Sequence, residues 1–320
     1  MRILVVGAGA TGGFFGGRLA QAGRDVTFLV RPRRAEVLRA RGLRIVGPGT
    51  EEALLRPSLV LPGELDGSYD LVLLSVKARA LPHALADLAP AVGPGTVVLP
   101  FLNGLAHLDA VTERFGSAAA LGGVVKVIAS LDADGDVRLL DTLDGTTVGD
   151  MVIGELTGGS TPRIERLGRA LSGADFGLTV STDIRTAMWH KWAFISTLGA
   201  LTTLMRGTVG DIVAAGGSRL GLALLAETAA VAKAAGHPLT EAQLSRIGAD
   251  LTLVGSTDTA SLYRDTAAGL PTEGEHILGD LASRARALGV ETPLLDLAAL
   301  QLRVHDHRLA TAGHRPPVAH

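Results

Sequence analysis

The chain has 320 residues, of which 47% are hydrophobic, 19% charged and only 3% aromatic, with a formal net charge of −2. That length suits two domains with separate cores, and the near-neutral charge and scarcity of stacking rings argue against a nucleic-acid partner and for a small molecule. The absence of cysteine excludes disulfides, thiolate metal ligands and a thiol nucleophile, no unbroken apolar run reaches the length of a membrane span, and the chain opens on a strand-like run rather than a secretory pattern, so a cytoplasmic protein is expected.

The first predicted element is a strand over residues 2–6, followed by Gly7-Ala8-Gly9-Ala10-Thr11-Gly12 and a helix that runs through Ala22 and stops at Gly23. In such a strand–turn–helix Gly7 permits the tight turn, Gly9 lets a pyrophosphate approach the backbone, and Gly12 lets the helix lie close on the strand. A glycine-rich chain produces this triplet by chance, but here a strand precedes it and a second strand, Asp25–Val30, returns at βαβ spacing. A dinucleotide site over residues 7–12 is therefore expected. Arg31-Pro32-Arg33-Arg34 follows, where a protein preferring NAD usually offers Asp or Glu. Arg31 suits the 2′-phosphate of NADP(H), with Arg33 and Arg34 adding to the field; the other reading is a solvated cluster opening the next helix.

Further strands end in polar residues: Tyr69–Val76 runs into Lys77, and Thr96–Pro100 leads to Asn103-Gly104. In an open parallel sheet ligands bind outside the carboxyl ends of the strands, which puts Lys77 and Asn103 on the functional edge, although each alone is also ordinary surface. Ala118–Thr147 reads as strands and a hairpin turning at Asp132-Ala133-Asp134-Gly135-Asp136. That cluster lacks the glycine placement and closing glutamate of an EF-hand loop, so a solvated turn is expected rather than calcium.

From about Thr182 long helical patterns take over: Asp183–Ala200, Ser218–Ala235, Thr240–Leu253, Thr257–Ala268, Thr272–Leu288 and Pro293–Leu309. Thr272 is placed as an N-cap with Glu275 completing a capping box. The expected architecture is α/β, an N-terminal Rossmann-type doubly wound sheet over residues 1–182 that binds NADP, and a C-terminal all-helical domain over 183–320. In Met188-Trp189-His190-Lys191-Trp192-Ala193-Phe194-Ile195 one lysine stands among large apolar groups. Partial burial there lowers an ammonium pKa toward proton donation, while the plainer reading is a lysine that carries its charge out to water. Glu273 at a helix start is likewise either functional or simply favoured by the helix dipole. His305-Asp306-His307, with His314 and His320, reads as a solvated end rather than a metal site. The apolar face of Leu220–Ala235 suits either a core or a contact with a second copy, so a homodimer is one expectation.

Taken together these residues resemble the ketopantoate reductase (2-dehydropantoate 2-reductase) family along nearly the whole chain. The resemblance is carried by Gly7–Gly12, Arg31, Ser75-Val76-Lys77-Ala78, Asn103-Gly104, Trp189-His190-Lys191, Ser261 to Glu273, and His276-Ile277-Leu278-Gly279. It implies NADPH-dependent reduction of a small 2-keto acid to the 2-hydroxy acid, 2-dehydropantoate to pantoate first among them, a step of pantothenate biosynthesis. Lys191 would be the general acid that protonates the carbonyl oxygen, and Glu273 would orient the lysine and the substrate hydroxyl. Lys77 and Asn103 would line the nicotinamide and substrate site, Ser261 would hold the substrate carboxylate, Asp265 would support it, and no metal is implied. Where relatives carry asparagines four and eight residues after the lysine, this chain has Ile195 and Gly199. Loss of two polar contacts, each worth on the order of 1 kcal/mol, fits a reductase of the same family for a more apolar keto acid; a non-catalytic NADP-binding sensor is the alternative from another class.

Overall fold

The computed structural model of the protein describes residues 1–48, 53–143 and 147–312. Two compact units, Met1–Met188 and Trp189–His320, divide the chain. In the first, the strands in chain order are β1 (Arg2–Val6), β2 (Asp25–Leu29), β3 (Leu43–Val46), β4 (Ala53–Leu55), β5 (Ser58–Val60), β6 (Leu71–Leu74), β7 (Val97–Pro100), β8 (Gly122–Leu131), β9 (Val137–Asp141), β10 (Gly149–Gly154) and β11 (Gly177–Val180). The helices among them are α1 (Ala10–Gln21), α2 (Pro32–Arg41), α3 (Leu81–Leu88), α4 (Ala106–Phe115) and α5 (Pro162–Leu171).

Strands β5-β2-β1-β6-β7 form one sheet, in that order and all parallel. Their sequences are apolar at consecutive positions because both faces are covered. Ile3 and Val5 pack with Phe14, Phe15 and Leu19 of α1, whereas Leu4 and Val6 pack with Leu81, Leu85 and Leu88 of α3 and Val111 of α4. Helices on both faces make the sheet doubly wound. The chain leaves β1 for β2 on one side and returns to β6 on the other, so the order reverses at β1/β6, and the crevice beyond their carboxyl ends is where such sheets bind ligands.

A second, mixed sheet, β11-β10-β8-β9-β3-β4, belongs to the same unit. Helix α1, ATGGFFGGRLAQ, lies between the two sheets, and its glycine pairs explain how. A Cβ on Gly16 would stand 2.8 Å from Val5 and Phe28 of the parallel sheet, and one on Gly17 2.8 Å from Ile45 of the mixed sheet. Only a helix stripped of side chains on those lines fits. The expected hairpin is present as β8 and β9; Asp132 Oδ1 accepts from the N–H groups of Asp134 and Asp136, and Arg138 donates to its other oxygen, while Asp134 and Asp136 pair with Arg41 and Asp136 also with Arg44, so the acidic cluster is satisfied by backbone and arginines. The Asp144–Thr146 end of the segment first read as hairpin lies outside the described residues.

Helix α6 (Ile184–Met205) begins in the first unit and continues into the second, which otherwise holds α7 (Val209–Ala214), α8 (Ser218–Ala234), α9 (Glu241–Leu251), α10 (Ser261–Ala267), a π-helical turn Glu275–Gly279, α11 (Asp280–Ala287) and α12 (Pro293–Ala312). Leu224, Val231, Ile277, Leu278, Leu281, Leu295 and Leu302 are among its buried side chains. Polar groups close the helix ends: capping boxes start α7 and α9, and the Glu227 carboxylate on α8 accepts from the N–H groups of Leu294 and Leu295 at the start of α12. Among the described residues no helix is long and apolar enough to cross a membrane, and no three His, Asp or Glu side chains group as a metal site.

Candidate active site

In the first unit the site begins where β1 ends. Gly7 has φ +95°, and a Cβ there would stand 2.4 Å from the Ser75 carbonyl oxygen beyond β6, so only glycine turns the chain here. A Cβ on Gly12 would come within 2.1 Å of the Gly7 carbonyl oxygen, which is how α1 starts tight against the turn. Gly9 differs. A Cβ built on it meets nothing within 4 Å, and Gly9 caps α1 with no side-chain hydrogen bond and no acidic residue in the first turn. Open space in front of an uncapped helix N-terminus has room for a pyrophosphate, and residues Gly7, Ala8, Gly9, Ala10, Thr11 and Gly12 make up the turn beside it. Lys77 follows β6, exposed, ahead of a 3-10 turn; Asn103 follows β7, half-buried.

The three arginines beyond β2 separate in role. Arg31 and Arg33 are exposed, Arg31 at the N-cap of α2. Arg34 instead donates to the Ala8 carbonyl at 2.9 Å and the Gly135 carbonyl at 2.8 Å, bracing the glycine turn against the β8–β9 hairpin. Burial lowers its guanidinium pKa, with Asp136 opposing. Arg33 is thus exposed, while Arg34 directs Nε and Nη1 to backbone carbonyls and keeps its charge beside the glycine turn.

In the second unit, Lys191 is half-buried on α6 beside Trp192, which is 1% exposed. Trp192 donates its Nε1–H to the Ile277 carbonyl at 2.9 Å, and the Ile277 N–H donates to the Glu273 carbonyl at 3.0 Å. Lysine and glutamate, distant in sequence, are thereby linked through Trp192, next to the lysine, and Ile277, one helical turn after the glutamate, by way of the glutamate's backbone carbonyl. Trp189 packs on Trp192 with ring centroids 5.1 Å apart, and His190 bonds Gln243 and the Pro238 carbonyl, so α6 is held on either side of Lys191. Helix α10 is held against a later stretch of α6: the Ala260 N–H donates to Thr202 Oγ1 at 3.4 Å, and a Cβ on Gly199 would stand 2.9 Å from Leu262 Cδ1. Ser261, exposed, opens α10, and Asp265, half-buried, stands one turn further on.

Four expectations need correction. Glu273 precedes its helix instead of lying in the first turn, and Thr272 and Glu275 form no capping box: Thr272 is taken by Asp306 and Glu275 by Arg303, partners on α12 that local pattern does not reveal. Residues 305–307 lie in the helix expected over Pro293–Leu309, but His305 is half-buried rather than solvated, its Nε2 pairing with the Leu270 carbonyl at 2.9 Å; His314 and His320 lie outside the described residues. Helix α6 extends to Met205, beyond the expected Ala200. The indole–Ile277 bond and the α12 contacts were missed because both join elements remote in sequence.

Comparison with known proteins adds four findings. The family described as "Ketopantoate reductase PanE/ApbA" matches residues 3–152, and its C-terminal counterpart, "Ketopantoate reductase PanE/ApbA C terminal", matches residues 183–305. The chain is 32% identical over 307 residues to "Uncharacterized oxidoreductase YkpB" of Bacillus subtilis (strain 168), covering 96% of this chain and 99% of the relative. The crystal structure of 2-dehydropantoate 2-reductase from Methylococcus capsulatus superposes with TM-score 0.85 at 27% identity, covering 97% of this chain and 98% of that one. A D-mandelate dehydrogenase, solved with NADH and anilino(oxo)acetate, shares the fold at TM-score 0.85 and 23% identity, over 97% of this chain and 100% of that one. Parallel glycine-turn sheet and helical unit are those of a two-unit oxidoreductase. The chain belongs to the ketopantoate reductase family.

Proposed function

We propose that this protein reduces a small 2-keto acid to the 2-hydroxy acid with NADPH, 2-dehydropantoate to pantoate being the first candidate. Residues 1–182 hold the cofactor and residues 183–320 the substrate. The observation that carries the reading is the tie from Trp192 through Ile277 to Glu273, which gathers a half-buried lysine and a carboxylate in one unit. The reduced nicotinamide, when bound, supplies the hydride. Negative charge growing on the carbonyl oxygen is met by the Lys191 ammonium, which then donates its proton to that oxygen. Glu273 orients the ammonium and a substrate hydroxyl, Ser261 holds the substrate carboxylate, and Asp265 supports it. Lys77 and Asn103 line the cofactor and substrate positions, Gly7–Gly12 take the pyrophosphate, and Arg31 takes the 2′-phosphate.

A second reading, a more apolar keto acid, is favoured by the packing after the lysine. Gly199 is buried beneath Leu262, with Leu278 Cδ2 3.9 Å from where its Cβ would be, so no polar group occupies that position. Lys191→Ala tests the shared chemistry: kcat should fall by about 100-fold or more with NADPH binding retained, and unchanged turnover would remove the proposed general acid.

A further inference from the structure

We propose that Asp306, on α12, is a positioning residue for Glu273, an inference that rests on the role given to that glutamate above. Residues Leu270–Glu273 belong to no helix or strand, so side chains from elsewhere must set their path. Asp306 does so at the residue just before the glutamate: Oδ1 accepts the Thr272 N–H at 3.0 Å, and Oδ2 accepts the Thr272 hydroxyl at 3.0 Å. The same hydroxyl accepts the Gly274 N–H at 3.1 Å, on the far side of Glu273. The glutamate backbone is thus bracketed by two residues that share one anchor.

The rest of α12 reinforces the bracket. Three residues before Asp306, and so on the same helical face, Arg303 donates to both oxygens of Glu275, at 2.6 and 2.9 Å. His305 Nε2 pairs with the Leu270 carbonyl at 2.9 Å, and a Cβ on Gly274 would stand 2.6 Å from Leu302 Cδ1, so the segment lies flush on the helix. With the Glu273 carbonyl receiving the Ile277 N–H and the Ile277 carbonyl receiving the Trp192 indole, the path to the glutamate is held from α12 on one side and α6 on the other. A plain anchoring role for Asp306 predicts a loss of stability only; a positioning role predicts a loss that depends on Glu273.

The test is a double-mutant cycle in the full chain, read by keto-acid turnover with NADPH and by amide hydrogen exchange over residues 270–277. Asp306→Ala should raise exchange there, lower kcat about 10- to 100-fold, leave KM for NADPH unchanged, and add nothing to the loss caused by Glu273→Gln. Asp306→Asn keeps an acceptor for the Thr272 N–H and a donor for its hydroxyl, and should restore most of both readouts. If Asp306→Ala does not fold, Thr272→Val, which removes only the hydroxyl bonds, carries the same comparison at smaller amplitude. An equal kcat loss in the Glu273 and Glu273→Gln backgrounds, or unchanged exchange and turnover in Asp306→Ala, overturns the positioning role alone. Full turnover by Glu273→Gln overturns the catalytic reading itself and this inference with it.

Discussion

Gly12 has no space for a methyl group, and the atom in the way is backbone, the Gly7 carbonyl oxygen. Gly12→Ala therefore has to displace the turn, and we expect a loss of about 3 kcal/mol in stability and of dinucleotide binding, measured by denaturant unfolding and NADPH fluorescence. Gly199 faces a softer neighbour. Gly199→Asn, the residue type the family resemblance implies there, pushes on the Leu262 side chain and should cost about 2 kcal/mol, a penalty that Leu262→Ala in the same chain relieves. Arg31→Ala should raise KM for NADPH by about tenfold or more, the worth of one charge-assisted bond, with little effect on KM for NADH; equal effects on both cofactors would end the 2′-phosphate assignment. Glycine roles of this kind are legible in sequence because they are dictated by the local path of the chain. The partition among Arg31, Arg33 and Arg34 is not, since the Ala8 and Gly135 carbonyls that occupy Arg34 arrive from other segments.

Helix α5 shows how an element is fixed by groups outside it. Thr161 caps it by accepting the Ile164 N–H, and the buried Glu155 carboxylate accepts from the Thr161 hydroxyl and the Arg163 guanidinium. Hydrogen bonding from Arg163 first, then from Thr161, with the arginine's charge, holds the Glu155 carboxyl below its ordinary range against the opposing effect of burial. The folded state thus binds its proton more weakly than the unfolded chain, so this stabilisation is fully present above the unfolded-state pKa and is lost as pH falls through the lower folded value. Glu155→Ala should cost about 2 kcal/mol near neutral pH, and the gap from the parent, followed by denaturant unfolding, should close on acidification. A gap that does not change with pH would contradict the ion pair. At this scale the long helices α6, α8 and α12 were readable from their apolar periodicity. The short strands β3, β4, β10 and β11 were not, because four or so residues carry little pattern and their pairing partners lie far away in the chain. The mixed sheet they build explains the glycine pairs of α1, which sequence alone ties only to the cofactor turn.

For the whole molecule, the change from a strand-and-helix half to a helical half was visible as a change of period, and the two compact units reflect the same change within the chain. What each unit contributes differs in legibility. The proposed cofactor residues stand in six consecutive positions. The proposed substrate residues are spread over α6, α10 and the segment after it, near the contacts of Trp192 and Asp306, and no local window contains that arrangement. Under the proposed function, substrate choice would rest on Ile195, Gly199 and the leucines around Gly199. The central claim is tested most directly by initial rates of NADPH oxidation with 2-dehydropantoate and a series of 2-keto acids of increasing apolar size, repeated with NADH. The account predicts turnover of at least one 2-keto acid, faster with NADPH than with NADH; no turnover of any of them with either cofactor would contradict it.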